Sequence, residues 1–149
     1  MRPLTVRPVA LAGLLAGVLA ACQGDPTGAR LRGVYTLRSV GVWTPPYAEL
    51  PVPGSAVGAA PGDTIRYLAG AFVLTANGRW HERVVREVVG GGSVRTDTLG
   101  GDGTYRVTPD APGRTLLDLY PGKVYIANIN AMAVISGDTL DHAPWVFVR

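Results

Sequence analysis

The sequence predicts an all-β fold, an antiparallel up-and-down eight-stranded barrel, and three observations lead there. Apolar and polar residues alternate: over residues 31–40, Leu31, Gly33, Tyr35 and Leu37 fall on one face and Arg32, Val34, Thr36 and Arg38 on the other, the period of a half-buried strand. Clusters of Gly, Asn, Asp and Pro punctuate such segments at hairpin spacing. No segment beyond residue 30 sustains a helical period. Eight short-looped strands can close on themselves, which removes the edges through which sheets aggregate. A β-sandwich is the competing architecture.

The chain does not open with a strand. Residues 1–8 carry Arg2 and Arg7 and no acid, and residues 9–19 are an uncharged run of Val, Ala, Leu and Gly. That run is too short to cross a hydrocarbon core of about 30 Å as a helix, so residues 1–21 read as a cleaved signal peptide. Leu19-Ala20-Ala21-Cys22 resembles the bacterial lipobox, whose cysteine is lipidated on sulfur and becomes the first residue of the mature chain. The resemblance implies membrane attachment through acyl chains on Cys22. With Gln23 rather than Asp next to it, it implies the outer membrane of the bacterial cell envelope. It also accounts for the single cysteine, which as a free thiol would be a liability in an oxidising compartment. Residues 22–30, with Gly24, Pro26 and Gly28, then form a lipidated tether, and residues 31–149 form the barrel domain.

Processing removes Arg2 and Arg7 and lowers the formal charge from +3 to +1. The remaining arginines, Arg79, Arg83 and Arg86 among them, are interleaved with apolar or acidic residues and make no patch that nucleic acid would require.

Residues 31–40 make the first strand. Residues 44–62 break the rhythm with Pro45, Pro46, Pro51, Pro53 and Pro61, and cannot be a central strand. A connection of this length is expected to be functional, with Tyr47, Leu50 and Val52 tucked inward as a lid. Residues 63–76 resume the alternation with a bend at Ala69-Gly70, Asn77-Gly78 predicts a hairpin, and residues 79–89 return. After Gly90-Gly91-Gly92, further strands are expected at residues 94–99, 104–108, 114–120 and 124–135. Gly100-Gly101-Asp102-Gly103, residues 109–113 and Pro121-Gly122 separate them, and Asn128-Ile129-Asn130 leaves open whether the last is one strand or two. Ser136-Gly137-Asp138 turns into a final strand, residues 139–149, which Pro144 bends or marks as an edge.

Gly33-Val34-Tyr35-Thr36-Leu37-Arg38-Ser39-Val40, Leu74-Thr75-Ala76-Asn77-Gly78-Arg79-Trp80, Gly103-Thr104-Tyr105 and Ile135-Ser136-Gly137-Asp138-Thr139-Leu140 together resemble the small bacterial lipocalin-like lipoproteins. The lipocalin Gly-x-Trp falls at Gly33-Val34-Tyr35, with Tyr in place of Trp, and that family's helix after the barrel has no counterpart before Arg149. The resemblance implies a lipocalin-like barrel, a long first loop over one mouth, and a small apolar ligand inside.

No catalytic constellation stands out, and the protein is not expected to be an enzyme. His81-Glu82 and Asp138 with Asp141-His142 lack the three or four ligands at matching spacing that zinc requires, and both histidines read as exposed residues near strand ends. Gly90-Gly91-Gly92 and Gly100-Gly101-Asp102-Gly103 precede no helix that could hold phosphate, so no cofactor is implied. The unusual strand runs from Trp80 to Val88. Alternation puts Trp80, Glu82, Val84, Arg86 and Val88 on one side and His81, Arg83, Val85 and Glu87 on the other. Closing a barrel turns one charged face inward. The Trp80 face is expected there, with Glu82 and Arg86 paired near a wet mouth; alternatively, the strand projects past the barrel and its charges are solvated. A few placed polar groups among apolar walls are what a binding pocket needs. The candidate lining residues are Tyr35, Leu37, Tyr47, Leu50, Val52, Trp80, Glu82, Arg86 and Tyr105. Two functions follow: a lipid-anchored barrel that binds a small apolar or amphipathic ligand, or a filled barrel that presents its loops to another envelope protein.

Overall fold

The computed structural model describes residues 30–49, 58–125 and 131–149. Among the described residues nine strands follow one another: β1 (Gly33–Val40), β2 (Tyr47–Glu49), β3 (Thr64–Leu74), β4 (Arg79–Gly90), β5 (Ser93–Ala111), β6 (Arg114–Tyr125), β7 (Met132–Ser136), β8 (Thr139–His142) and β9 (Trp145–Val148). Each of β3 to β8 pairs antiparallel with the next, β9 pairs with β1, and β1 pairs back onto β3. Those eight strands therefore close into a barrel, and the sandwich is excluded. The short β2 lies outside the ring and pairs with β3 over Ile65 to Tyr67, beyond the stretch Ala71 to Leu74 that β1 occupies.

Eight barrel strands are present as expected, but not the same eight. Gly100-Gly101-Asp102-Gly103 is not a turn; β5 runs unbroken through it. The reason is close approach. A Cβ on Gly100 would strike the backbone carbonyl of Glu82, one on Gly103 would strike the carbonyl of Tyr120, and Gly100 has a φ of +120°. Glycine in a strand marks such bends and contacts as readily as it marks a turn. Pro121-Gly122 likewise lies inside β6, where Pro121 faces Gly103 at a register shift, a place where a strand tolerates proline. In compensation, residues 139–149 divide into β8 and β9 around Ala143-Pro144, and residues 124–135 divide between β6 and β7. Asn128-Ile129-Asn130 lies outside the described residues, as do Cys22, Leu50 and Val52. The hairpin at Asn77-Gly78 forms. Its loop spans residues 76–78: the Thr75 N–H donates to the Arg79 carbonyl at 2.9 Å, and Gly78 takes a φ of 71°.

One end of the barrel, where β1 starts and β4 begins, is packed solid. Tyr35, Phe72, Trp80, Leu117, Leu140 and Phe147 are fully buried. Phe72 centres them, with ring centroids 5.7 Å from Trp80 and 5.8 Å from Phe147. Each such side chain contributes about 1.5–3 kcal/mol of burial. The opposite end, the mouth, where β1 and β4 finish and β3 starts, is also lined with buried apolar residues: Ile65 and Val84 are fully buried and Val88 is 3% exposed.

Candidate functional site

Along β4 the Trp80 face does point inward. Trp80, Glu82 and Val84 are fully buried and Arg86 is 1% exposed, so the reading of solvated charges beyond the barrel fails. Two buried charges need partners, because removing each from water costs several kcal/mol. Glu82 and Arg86 find them separately rather than in each other. Arg86 Nη2 lies 3.3 Å from Asp97 Oδ2, on the residue directly opposite in the β4–β5 register. Asp97 also receives Arg95 Nη2 at 3.6 Å.

Glu82 instead reaches His142, with Oε1 and Nδ1 2.8 Å apart and both side chains no more than 1% exposed. This corrects the expectation of an exposed histidine. The contact has a particular geometry, because β4 and β8 occupy opposite positions in the eight-membered ring. The bond therefore crosses the lumen from wall to wall. An ionised carboxylate only accepts, so the proton between the two atoms sits on Nδ1 when Glu82 is charged. Phe72 braces the bridge from the packed end, its ring 5.6 Å from that of His142 and nearly perpendicular to it. Trp145, which pairs with His142 in the β8–β9 register, has its ring 6.4 Å away. Not every polar atom here is satisfied: Glu82 Oε2, Trp80 Nε1 and Trp145 Nε1 are buried with no hydrogen-bond partner.

Above the bridge the mouth is aromatic. Tyr67 stands beside Arg86 in register, and its hydroxyl donates to Glu49 Oε1 at 3.2 Å. Burial, and then the Glu49 carboxylate, push the Tyr67 phenol up to about 12, so it stays protonated as a donor. Tyr47 stacks on Tyr67 at 6.4 Å, and Trp43 on Tyr47 at 5.3 Å with the ring planes 3° apart. Trp43 is held by paired backbone hydrogen bonds to Val40 of 2.8 and 3.1 Å, yet it is 56% exposed. Tyr47 and Ala59, from either side of the described part of the long connection, pack against the core and cover this end.

Of the nine candidate lining residues, the structure places Tyr47, Glu82 and Arg86 at the mouth. Tyr35 and Trp80 belong to the packed end. Leu37 is wall, opposite Phe147 on β9, and the half-buried Tyr105 donates its hydroxyl to the Thr75 carbonyl at 3.1 Å, also at the packed end. Six mouth residues were not foreseen: Trp43, Glu49, Tyr67, Asp97, His142 and Trp145. Asp97 was within reach, since a two-residue turn at Gly91-Gly92 sets Arg86 against it. His142 carried no local signal, because its partner lies 60 residues away across a closed ring. Among the described residues no group of three His, Cys, Asp or Glu side chains is arranged to hold a metal. Outside the barrel, an open depression of about 400 Å³ lies across β6, β7 and β8, lined by Leu116, Met132 and Val134 with Arg114 and Asp141.

Compared with known proteins, the chain matches no family, no curated protein and no solved structure.

Proposed function

We propose that this protein is a lipid-anchored envelope protein, not an enzyme, whose lipocalin-like barrel binds a small amphipathic molecule at its mouth. The observation that supports this reading most is the Glu82–His142 bridge across the lumen. On one side of it the interior is apolar. On the other, Arg86, Asp97, Tyr67 and Glu49 lie with the Trp43–Tyr47–Tyr67 stack at the mouth. Aromatic faces with a few fixed polar groups suit a ligand with one apolar and one polar part. Attachment to the outer membrane through Cys22 rests on Leu19-Ala20-Ala21-Cys22 and the signal before it. Several acyl chains would hold the protein there firmly, which leaves the domain itself no membrane-binding task.

A naphthalene-type fluorescent probe tests the binding function. It should bind the purified protein with saturation, be displaced by amphipathic molecules, and lose affinity on Trp43→Ala. Absence of saturable binding would overturn the reading and favour a filled barrel that presents the Val40 to Trp43 tip, where Val42 is 89% exposed, to another envelope protein.

A further inference from the structure

We propose that the mouth selects a neutral hydroxyl head group, which donates its proton to Glu82 Oε2 and accepts the indole N–H of Trp145. The inference rests on the binding function proposed above and names the polar end of the ligand. Its basis is an inventory of what the site lacks. Glu82 Oε2 is a buried acceptor without a donor, and Trp80 Nε1 and Trp145 Nε1 are buried donors without an acceptor, of which Trp145 has its ring beside His142. Both side chains contact His142, one by the 2.8 Å bond and the other by its ring at 6.4 Å. Glu82 and Trp145 thus flank the same imidazole at the level where the bridge closes the lumen. A hydroxyl offers one donor and two acceptor sites, the complement of a lone acceptor and a lone donor.

Other head groups fit worse. A carboxylate only accepts, so it cannot satisfy Oε2 and would meet the negative charges of Glu82 and Asp97. An ammonium only donates; it would satisfy Oε2, bring a second cation near Arg86 and leave the Trp145 indole without an acceptor. A site built around a hydroxyl rejects analogues lacking it because its own buried groups are then left unpaired. Water offers the same oxygen chemistry, so the test must separate a ligand hydroxyl from solvent.

The experiment displaces the bound naphthalene probe with 1-octanol, octanoate and octylammonium, while the indole N–H resonances of the ¹⁵N-labelled protein are followed by NMR. The expected result is displacement by octanol at concentrations at least about tenfold lower than for either ion, with a downfield shift of the Trp145 indole signal produced by octanol alone. Trp145→Phe, which keeps an apolar ring, should narrow the advantage of octanol over octylammonium. Glu82→Gln should narrow its advantage over octanoate. Because the second change touches the bridge, Trp145→Phe is the decisive variant. Equal or stronger displacement by either ion would overturn the inference. So would displacement by octanol with the Trp145 signal unmoved, which would assign the vacancies to water. A bound probe that no head group displaces would overturn the head-group inference and leave the binding mouth standing, whereas a probe that never binds would overturn both.

Discussion

The Glu82–His142 bridge should cost stability to break and cost nothing to replace. Both side chains are no more than 1% exposed, they share one 2.8 Å contact, and Glu82 Oε2 has no partner. Removing one member strands the other in the buried interior, so His142→Leu alone should destabilise the barrel by about 3–5 kcal/mol. Replacing both, as Glu82→Met with His142→Leu, removes the desolvation cost along with the attraction. Buried pairs exchanged for apolar residues of similar volume come out between neutral and about 1–4 kcal/mol more stable, and the vacancy at Oε2 places this pair toward the stabilised side. Urea unfolding followed by tryptophan fluorescence resolves these cases. With a slope of about 1–3 kcal/mol per molar urea, the single variant should lose at least about 1 M in midpoint, while the double variant should match or exceed the parent. The double variant should also lose probe binding. A double variant as unstable as the single one would refute the reasoning, because the bridge would then be a structural necessity rather than a feature retained for a ligand.

Further outcomes follow from the same structure. Phe72→Ala, at the centre of the packed end, should cost about 3–5 kcal/mol in the same urea experiment, with probe binding the more sensitive readout if the cavity spreads to the bridge. Gly100→Ala should cost about 2–4 kcal/mol or prevent folding, since the new Cβ meets the Glu82 carbonyl at a φ of +120°, whereas Gly91→Ala, in an open turn at φ +55°, should cost only about 1 kcal/mol. Alkaline pH should weaken the fold. With the Tyr67 phenol raised from 10.0 to about 12, its contribution is intact below pH 10 and is lost as pH climbs through that interval, about 2 kcal/mol in all. Tyr67→Phe should flatten that part of the alkaline titration of stability, leaving the smaller part due to Tyr35 and Tyr105, which burial also raises. Cys22→Ser in a Gram-negative host should abolish incorporation of labelled palmitate and release the protein from the membrane fraction; unchanged fractionation would contradict the anchor.

The barrel was legible because it is built from local rules. Alternation in β1 and β4 and the turns at Asn77-Gly78, Gly91-Gly92 and Gly137 are written in adjacent residues, and short hairpins leave consecutive strands little choice but to pair. The errors fall where a residue type serves two purposes. Glycine at Gly100 and Gly103 looks like a turn, yet it admits a neighbouring backbone, a fact visible only once β4 and β6 are in place. The inward face of β4 could be read from its period, and Glu82 and Arg86 were found on it. Their partners could not be read in the same way. Arg86–Asp97 depends on hairpin register, which a turn can supply, but Glu82–His142 depends on ring closure, and no local pattern encodes which residues face each other across a lumen. The two ends of the barrel were also indistinguishable in the sequence, which is why Tyr35, Trp80 and Tyr105 were grouped with residues at the opposite end.

The most direct test of a binding mouth is a ¹⁵N NMR titration of the protein with the naphthalene probe, mapped residue by residue. Saturable shifts should centre on Trp43, Tyr47, Tyr67, Arg86 and Trp145 and fade toward Tyr35, Leu117 and Phe147 beyond the bridge. Shifts confined to the outer depression around Leu116, Met132 and Val134, or none that saturate, would contradict it.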